Sequence, residues 1–473
     1  MHEPLYMQLA QKMAAMIQKG VYRSGDRLPS LRQIHLENGL SIGTVLQAFN
    51  HLQDTGMVTA REKSGYFVTY QPGQLLPQPR TIPLSLSERS VHIDSLLLKL
   101  RKGRSGKNFV PFANALPDHR LLPFNAIRRA IQQTSRDSSG AYLEMEDPRG
   151  NLQLREAIAR RSFTWGGSLH ADDLVITNGA TEALNLCLKA VTQPGDTVLI
   201  QEPCYYGILQ SLEFLNLKAL AIPCHSETGI ELDDLENACA RRGIKTCILV
   251  SNFNNPTGAC LSTAKKKKLA AFAGRNKIVI IEDDLYGDIF FGQVRPDTIK
   301  TYDRNGWVLL CSSFSKSLIP GFRLGWCAPG MFGYEVARLK SMSDGASGNF
   351  SQKVLLQLLH TGAYDRHLVK FRKELHKNLV ATSLLIHRHF PEGTKITRPS
   401  GGLVIWVQLP EHIDAVQLQD LAFSAGMSIA PGEIFSAGAA YKNYIRLSFC
   451  SLWNIKIEKA LIRLGALCHS STA

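Results

Sequence analysis

Over the first 70 residues the apolar positions recur at helical spacing three times. Tyr6, Leu9, Met13 and Ile17 predict a helix that opens near Pro4 and stops at Gly20. Ser30, with Gln33 three residues on, has the spacing of a capping box and predicts a second, short helix closed by Gly39. Ser41 caps a third, with Val45, Phe49 and Leu52 on one face and Gly56 as its stop. The pattern then becomes strand–turn–strand: Met57-Val58-Thr59, a turn through Glu62-Lys63-Ser64-Gly65, and Tyr66-Phe67-Val68. Two short helices joined by a tight turn and followed by a β wing predict an α+β winged helix-turn-helix over residues 1–70.

After residue 70 the periodicity lapses. Pro72, Pro77, Pro79 and Pro83 favour an extended chain, so residues 71–107 read as a linker. At about 3.1 Å per residue it could reach several tens of ångströms. From residue 108 apolar strands alternate with helical stretches: Asp173–Thr177, Thr197–Ile200, Cys247–Ser251, Ile278–Glu282 and Val308–Cys311 are strands, and Gly179–Ala190 a helix. Such alternation predicts an α/β domain over residues 108–473, its mainly parallel sheet covered on both faces. Gly401–Leu409 and Tyr444–Phe449 suggest a smaller α+β lobe over roughly residues 340–473.

Composition narrows the class. Of 473 residues 44% are hydrophobic and 20% charged, as in ordinary globular proteins. No apolar run reaches the roughly 18–20 residues of a membrane span. The start, MHEPLYMQLAQKM, lacks the layout of a signal peptide. Ten cysteines without a CxxC pair indicate neither a metal cluster nor a disulfide framework, so a reduced, cytoplasmic protein is expected. The net charge of +14 raises DNA as a partner. Residues 1–70 hold seven Lys and Arg against five acids, which leaves +12 beyond them and predicts that DNA also touches the larger part. The cluster Lys99, Arg101, Lys102, Arg104 and Lys107 is a candidate for that contact, whereas Lys265–Lys268 reads as a solvated helix face.

Four segments point to one ligand. In Ser312-Ser313-Phe314-Ser315-Lys316, followed by Pro320-Gly321-Phe322-Arg323, a lysine after a strand has small hydroxyls beside it and an arginine seven residues on. That suits a Schiff-base lysine beside a phosphate anchor. In Glu282-Asp283-Asp284-Leu285-Tyr286 a carboxylate at a strand end can keep a pyridine nitrogen protonated, and the tyrosine can meet the ring's phenolic oxygen. Asn254-Asn255-Pro256-Thr257-Gly258 offers an amide to the same oxygen. Thr177-Asn178-Gly179-Ala180-Thr181-Glu182 is a strand-to-helix turn whose free amides favour a phosphate.

Together these segments resemble fold-type I, class I aminotransferases, which use pyridoxal 5'-phosphate (PLP). The resemblance implies that Lys316 is the catalytic lysine forming the internal aldimine and that Asp283 pairs with the pyridine nitrogen. It implies that Asn255 and Tyr286 contact the phenolic oxygen, Tyr205 stacks on the ring, and Ala180, Thr181, Ser313, Ser315 and Arg323 hold the phosphate. Arg446, in Tyr444-Ile445-Arg446-Leu447, matches an arginine that clamps a substrate or effector carboxylate bidentately. Two segments depart from the pattern: Met145-Glu146-Asp147-Pro148 lacks a tyrosine that many members extend to a neighbouring subunit's phosphate, a role Tyr142 could take, and Asn114-Ala115-Leu116-Pro117-Asp118 lacks a glycine. Both bear on transamination more than on cofactor binding.

Residues 1–70 resemble the GntR winged-helix domain through Pro4-Leu5-Tyr6, Gly25-Asp26-Arg27-Leu28-Pro29-Ser30, Thr44-Val45 and Ser64-Gly65-Tyr66-Phe67-Val68. The fusion is similar to the MocR subgroup of transcriptional regulators, and to its YdcR-type members above all. It implies a homodimeric regulator that binds DNA and senses PLP, an amino compound forming an aldimine with it, or both; the alternative is an active aminotransferase with an accessory DNA-binding module. Ser41, Thr44 and Gln47 on the third helix, Arg27, Ser30 and Arg32 around the second, and Ser64 and Gly65 in the wing are the candidate DNA contacts. Ile42-Gly43 stands where the family usually has an arginine.

Overall fold

The computed structural model describes residues 4–18, 21–22, 25–54, 57–61, 64–68, 76–84, 86–91, 93, 97, 109–438 and 440–470. Gly20, Gly56, Glu62, Lys63 and the cluster Lys99–Lys107 lie outside them.

The head contains α1 (Leu5–Gln18), α2 (Leu31–Asn38), α3 (Ile42–Asp54) and an antiparallel wing of β1 (Val58–Arg61) and β2 (Gly65–Val68). Leu9, Met13, Ile17, Ile34, Val45, Phe49, Leu52, Val58 and Val68 are buried together, so the apolar faces read from spacing form its core. Ser30 Oγ caps α2 by accepting the Gln33 N–H at 3.2 Å. The capping box stays half-formed, because the Gln33 amide donates to Glu37 at 2.9 Å instead of reaching back. Gly39 closes α2 at φ +64°, a left-handed conformation in which a Cβ would be strained.

The linker is packed where it is described. Pro77 and Leu76 offer their carbonyls to Ile396 N–H and Arg398, Gln78 donates to Glu227, and Glu88–Ser90 joins the central sheet as an antiparallel edge strand on Lys218–His225. Val91, Ile93 and Leu97 continue into the domain core. Prolines keep the chain extended without keeping it in solvent, because an extended segment can add to a sheet edge.

The central sheet runs, in spatial order, Glu88–Ser90, Lys218–His225, Thr197–Glu202, Thr246–Leu249, Val279–Asp283, Val308–Ser313, Gly325–Ala328 and Val175–Thr177. The five strands from Lys218–His225 to Val308–Ser313 are mutually parallel, and Gly325–Ala328 runs against both its neighbours. Apolar clusters cover both faces. The small lobe is a four-stranded antiparallel sheet, ordered Lys395–Ile396, Val404–Gln408, Tyr444–Ser448 and Ala430–Pro431. Its helices are Ala363–His389, Ala415–Ser424 and Ile455–Ser470. Val110, Phe112 and Ala115 belong to this lobe's core, so it takes chain from both ends of the domain. The long helix Ala363–His389 also approaches α3 of the head.

The lysine run is a solvated face only in part: Lys267 and Lys268 are exposed, but Lys266 is not. Lys266 is buried, donating to Asn252 Oδ1 at 2.7 Å and pairing with Asp297 at 3.0 Å; Lys265 pairs with Glu231 at 2.9 Å, and Lys267 lies over the Tyr302 ring. All ten cysteines are free. Among the described residues no three or more His, Cys, Asp or Glu side chains converge as metal ligands, and no helix is long and apolar enough to cross a membrane.

Candidate cofactor site and nucleic-acid interface

In an open α/β sheet the carboxyl ends of the parallel strands form one edge, where loops diverge and a crevice opens. Asp283 ends one strand and Ser313 the next, while Asn178-Gly179-Ala180 follows Thr177. Gly325 opens the antiparallel strand between the last two, so it lies at the same edge. There a cavity of about 80 Å³ is lined by Ala180, Thr181, Tyr205, Asp283, Ser313, Ser315, Lys316 and Arg323, together with Leu116, Leu184, Gly207 and Leu285. A larger cavity of about 400 Å³ lies apart, between Trp165, Lys300, Asp303 and Arg304. Its Lys300 and Asp303 already pair at 2.9 Å, whereas the smaller cavity is lined by eight of the ten residues that the sequence offers as PLP contacts, all but Asn255 and Tyr286.

Lys316 Nζ donates to the Ala115 carbonyl at 2.8 Å. Burial, with Arg446 and Arg323 nearby, pushes its pKa down to about 8, although Cys450 and Asp283 pull the other way. The amine is therefore poised near neutrality, as a nucleophile needs. Asp283 accepts the Leu285 N–H at 3.1 Å, and burial, reinforced by Asp284, raises its carboxyl to about 7. Burial likewise raises the Tyr286 phenol. Asn255 joins two functions: its amide donates to Tyr286 OH at 3.4 Å, and its Oδ1 accepts from Arg446 Nη1 at 3.3 Å. Arg446, only 1% exposed, also donates to the Ala113 carbonyl, while its Nε is buried without a partner.

The candidate phosphate cradle combines backbone amides with hydroxyls. No side chain caps the helix Ala180–Val191, and its first residues, Ala180 and Thr181, line the cavity. Ser315 N–H donates to Ser313 Oγ at 3.0 Å, which lies 2.9 Å from Ser315 Oγ and 2.8 Å from the Leu324 carbonyl. The exposed Arg323 guanidinium lies against Gly179 (φ +87°), where a Cβ would come within 2.9 Å of Nη2. Gly207 leaves room for the Tyr205 ring in the same way, since a Cβ there would meet it at 2.3 Å. An uncapped helix start, an open guanidinium, a near-neutral lysine, a buried carboxyl and an orphaned arginine Nε form a donor set that fits PLP with a carboxylate beside it.

Sequence reasoning missed the layer behind Lys316. Asp284 pairs with Arg295 at 2.6 Å, Arg295 with Asp288 at 2.6 Å, and Asp288 with Arg161 at 3.3 Å. Tyr364 OH donates to Asp288 at 2.8 Å and lies 2.7 Å from Ser317 Oγ, next in the chain to the lysine. Burial alone would raise Asp288, but Arg295 and Arg161 hold it well below the carboxylate range. Only Asp284 and Ser317 adjoin a motif; the others come from irregular loops and distant helices without a common period. Tyr142 packs edge-on against Phe350, its ring centroid 5.9 Å away.

In the head the candidate residues divide. Arg27, Arg32 and Gln47 are exposed, with Arg27 folded over the wing close to Gly65 (φ +96°). Ser64 lies in the wing turn, its N–H donating to the Arg61 carbonyl at 3.0 Å. The hydroxyls of Ser30, Ser41 and Thr44 are spent locally: Ser30 on its cap, and Ser41 Oγ 2.8 Å from Thr44 Oγ1 while accepting the Thr44 N–H at 3.0 Å.

Residues 113–464 match the family described as aminotransferase class I and II, and residues 5–68 that of bacterial regulatory proteins, gntR family. The chain is 38% identical over 462 residues to an uncharacterized HTH-type transcriptional regulator, YdcR, of Escherichia coli K12, covering 98% of each. A kynurenine aminotransferase of Pyrococcus horikoshii, solved with PMP, superposes with a TM-score of 0.73 at 28% identity, over 80% of this chain and 95% of that one. The α-aminoadipate aminotransferase LysN of Thermus thermophilus, complexed with N-(5'-phosphopyridoxyl)-L-leucine, gives 0.73 at 26% over the same shares.

Proposed function

Because the chain belongs to the aminotransferase class I and II family and carries a gntR-family head, we propose that it is a DNA-binding transcriptional regulator whose large domain binds PLP and reads an amino compound beside it. One observation carries the reading: eight residues that suit PLP line one cavity at a sheet edge, in a chain whose described head residues pack three helices against a two-stranded wing. PLP supplies an electrophilic aldehyde and an electron-withdrawing ring. The protein's residues do the rest. Lys316 presents an amine near neutrality, and Asp283 keeps a proton on the ring nitrogen. Asn255 and Tyr286 hold the phenolic oxygen while Tyr205 covers the ring. Ala180, Thr181, Ser313, Ser315 and Arg323 fix the phosphate. Arg446, with a spare buried N–H, takes the carboxylate of the effector.

The regulator acts in the cytoplasm as a homodimer. Leu116 at the cavity and Phe124, Leu143, Met145 and Leu152 beyond it in the chain are exposed apolar side chains that a second copy would cover. Coupling requires the effector to favour one arrangement of the two heads over another, worth typically about 1–3 kcal/mol, or roughly 5–150-fold in DNA affinity. The test is an operator-binding titration at fixed salt, with and without PLP and a panel of amino acids. A shift in that range supports the reading; identical affinities throughout refute the sensing. A second reading, an aminotransferase with an accessory head, is favoured by the completeness of the lysine, aspartate and arginine set. Sustained transfer between an amino donor and a keto acid, unaffected by removing the head, would establish it.

A further inference from the structure

The face that α3 turns to solvent has an unusual composition for a DNA-reading helix. Val45, Ala48, Phe49 and Leu52 are fully buried, which leaves Ser41, Ile42, Gly43, Leu46, Gln47, Asn50 and Gln53 outward. Residues 41–53 contain no Asp, Glu, Lys or Arg. With the whole chain in place, Ile42 is 47% and Leu46 39% exposed, one helical turn apart, and Asn50 continues their stripe a further turn on. Gln47 lies beside them. The cations stand at the flanks: Arg27 over the wing, Arg32 on α2, and Arg61 with its guanidinium 4.3 Å above the Phe67 ring.

This separates two tasks. Guanidinium groups at the flanks suit phosphates, which position the head without reading sequence. The commonest base-specific contact, Arg or Lys on guanine O6 and N7, has no donor on α3. Its outward face instead offers branched apolar side chains, which suit the C5-methyl of thymine, and carboxamides, which can pair bidentately with adenine N6 and N7. Resting on the regulator reading above, we propose that α3 selects A·T pairs, with Ile42 and Leu46 packing on thymine methyl groups and Gln47 and Asn50 addressing adenine. Double-stranded DNA is the occupant because the apolar stripe is flanked by positive charge, which a protein partner of ordinary composition would not require.

The full-length protein is used to select duplexes from a random pool at fixed salt. Each thymine of the enriched site is then replaced by uracil, which removes the methyl and leaves every hydrogen bond. Uracil at one or two positions of each half-site should weaken binding about threefold to fourfold per methyl lost. Ile42→Ala or Leu46→Ala should erase that difference at one of those positions only. Both side chains are outside the core, and the uracil experiment on the unaltered protein depends on no variant. An enriched site indifferent to uracil, or equally sensitive in both variants, overturns this inference and leaves the regulator standing. Disruption of the dimer by Ile42→Ala with DNA contacts unchanged overturns it too, in favour of a protein contact. A pool with no enriched sequence refutes the regulator reading and this inference with it.

Discussion

Gly325→Ala isolates the phosphate cradle from the rest of the site. Gly325 pairs with Ser313 on one side and Thr177 on the other, so its backbone is fixed by both neighbouring strands. A Cβ there would lie 2.5 Å from Gly179 C and 2.8 Å from Ala180 N, both backbone atoms that no rotamer change can move. Restoring ordinary contact requires the Gly179–Ala180 turn to retreat by about 1 Å. Overpacking of this kind costs about 1–3 kcal/mol of stability. The retreat misaims the Ala180 and Thr181 amides, each worth about 1.5–3 kcal/mol against a charged acceptor. A loss of about 2 kcal/mol in PLP binding, roughly thirtyfold, is the expected result. The assay titrates cofactor-free protein with PLP and, separately, with pyridoxal, following the visible absorbance of the bound cofactor. Pyridoxal lacks the phosphate, so its weaker binding should change less than threefold. An equal loss for both compounds, or PLP binding within threefold of the unaltered protein, would refute the cradle assignment.

Three further outcomes follow from the same geometry. Lys316→Ala should leave a folded protein that shows no internal-aldimine band; a full-strength aldimine band would overturn the lysine assignment. Arg446→Met keeps the buried bulk but removes the carboxylate donor, so the response of DNA binding to amino acids should need at least about a hundredfold more ligand while PLP binding changes only a few-fold; equal losses would mean a structural role. In cofactor-free protein Asp283 has a folded pKa of about 7, above its ordinary 3.8, because burial and Asp284 disfavour its charge. Its contribution to stability is therefore complete below about pH 4 and is lost as pH rises through 7. The melting temperature of Asp283→Asn should gain on that of the unaltered protein between pH 5 and 8, and a difference flat in pH would contradict the buried-carboxyl description.

What the sequence made legible was local. The head's helices, caps and wing follow from spacing and turn residues, and each strand of the central sheet that ends in a cofactor residue is a short apolar run. Three things were not legible. Lys266 lies in a run of four lysines but is buried, because Asn252 and Asp297 approach it from loops distant in sequence. Residues 76–91 look like a spacer by their prolines, yet the free edge of Lys218–His225 takes Glu88–Ser90 as a strand. The close approaches at Gly179, Gly207 and Gly325 depend on what faces each glycine, and a lone glycine carries no record of its neighbour.

The basic excess is also reinterpreted by the site. Lys316 donates to a backbone carbonyl, Arg446 to a carbonyl and an amide, and Arg323 to the Asn178 carbonyl at 3.5 Å. None of the three is in an ion pair with a carboxylate at contact distance among the described residues. Lys316 and Arg323 line one cavity and Arg446 lies close enough to lower the Lys316 pKa, so three of the cations beyond the head gather where a phosphate and a carboxylate would neutralise them. They are unavailable to DNA, so any contact that the large domain makes with DNA would have to come from other cations. It follows that bulk charge reported two anionic partners at once. The salt dependence of DNA binding, which counts phosphates neutralised, should exceed what Arg27, Arg32 and Arg61 supply per head, but by less than the +12 alone would suggest.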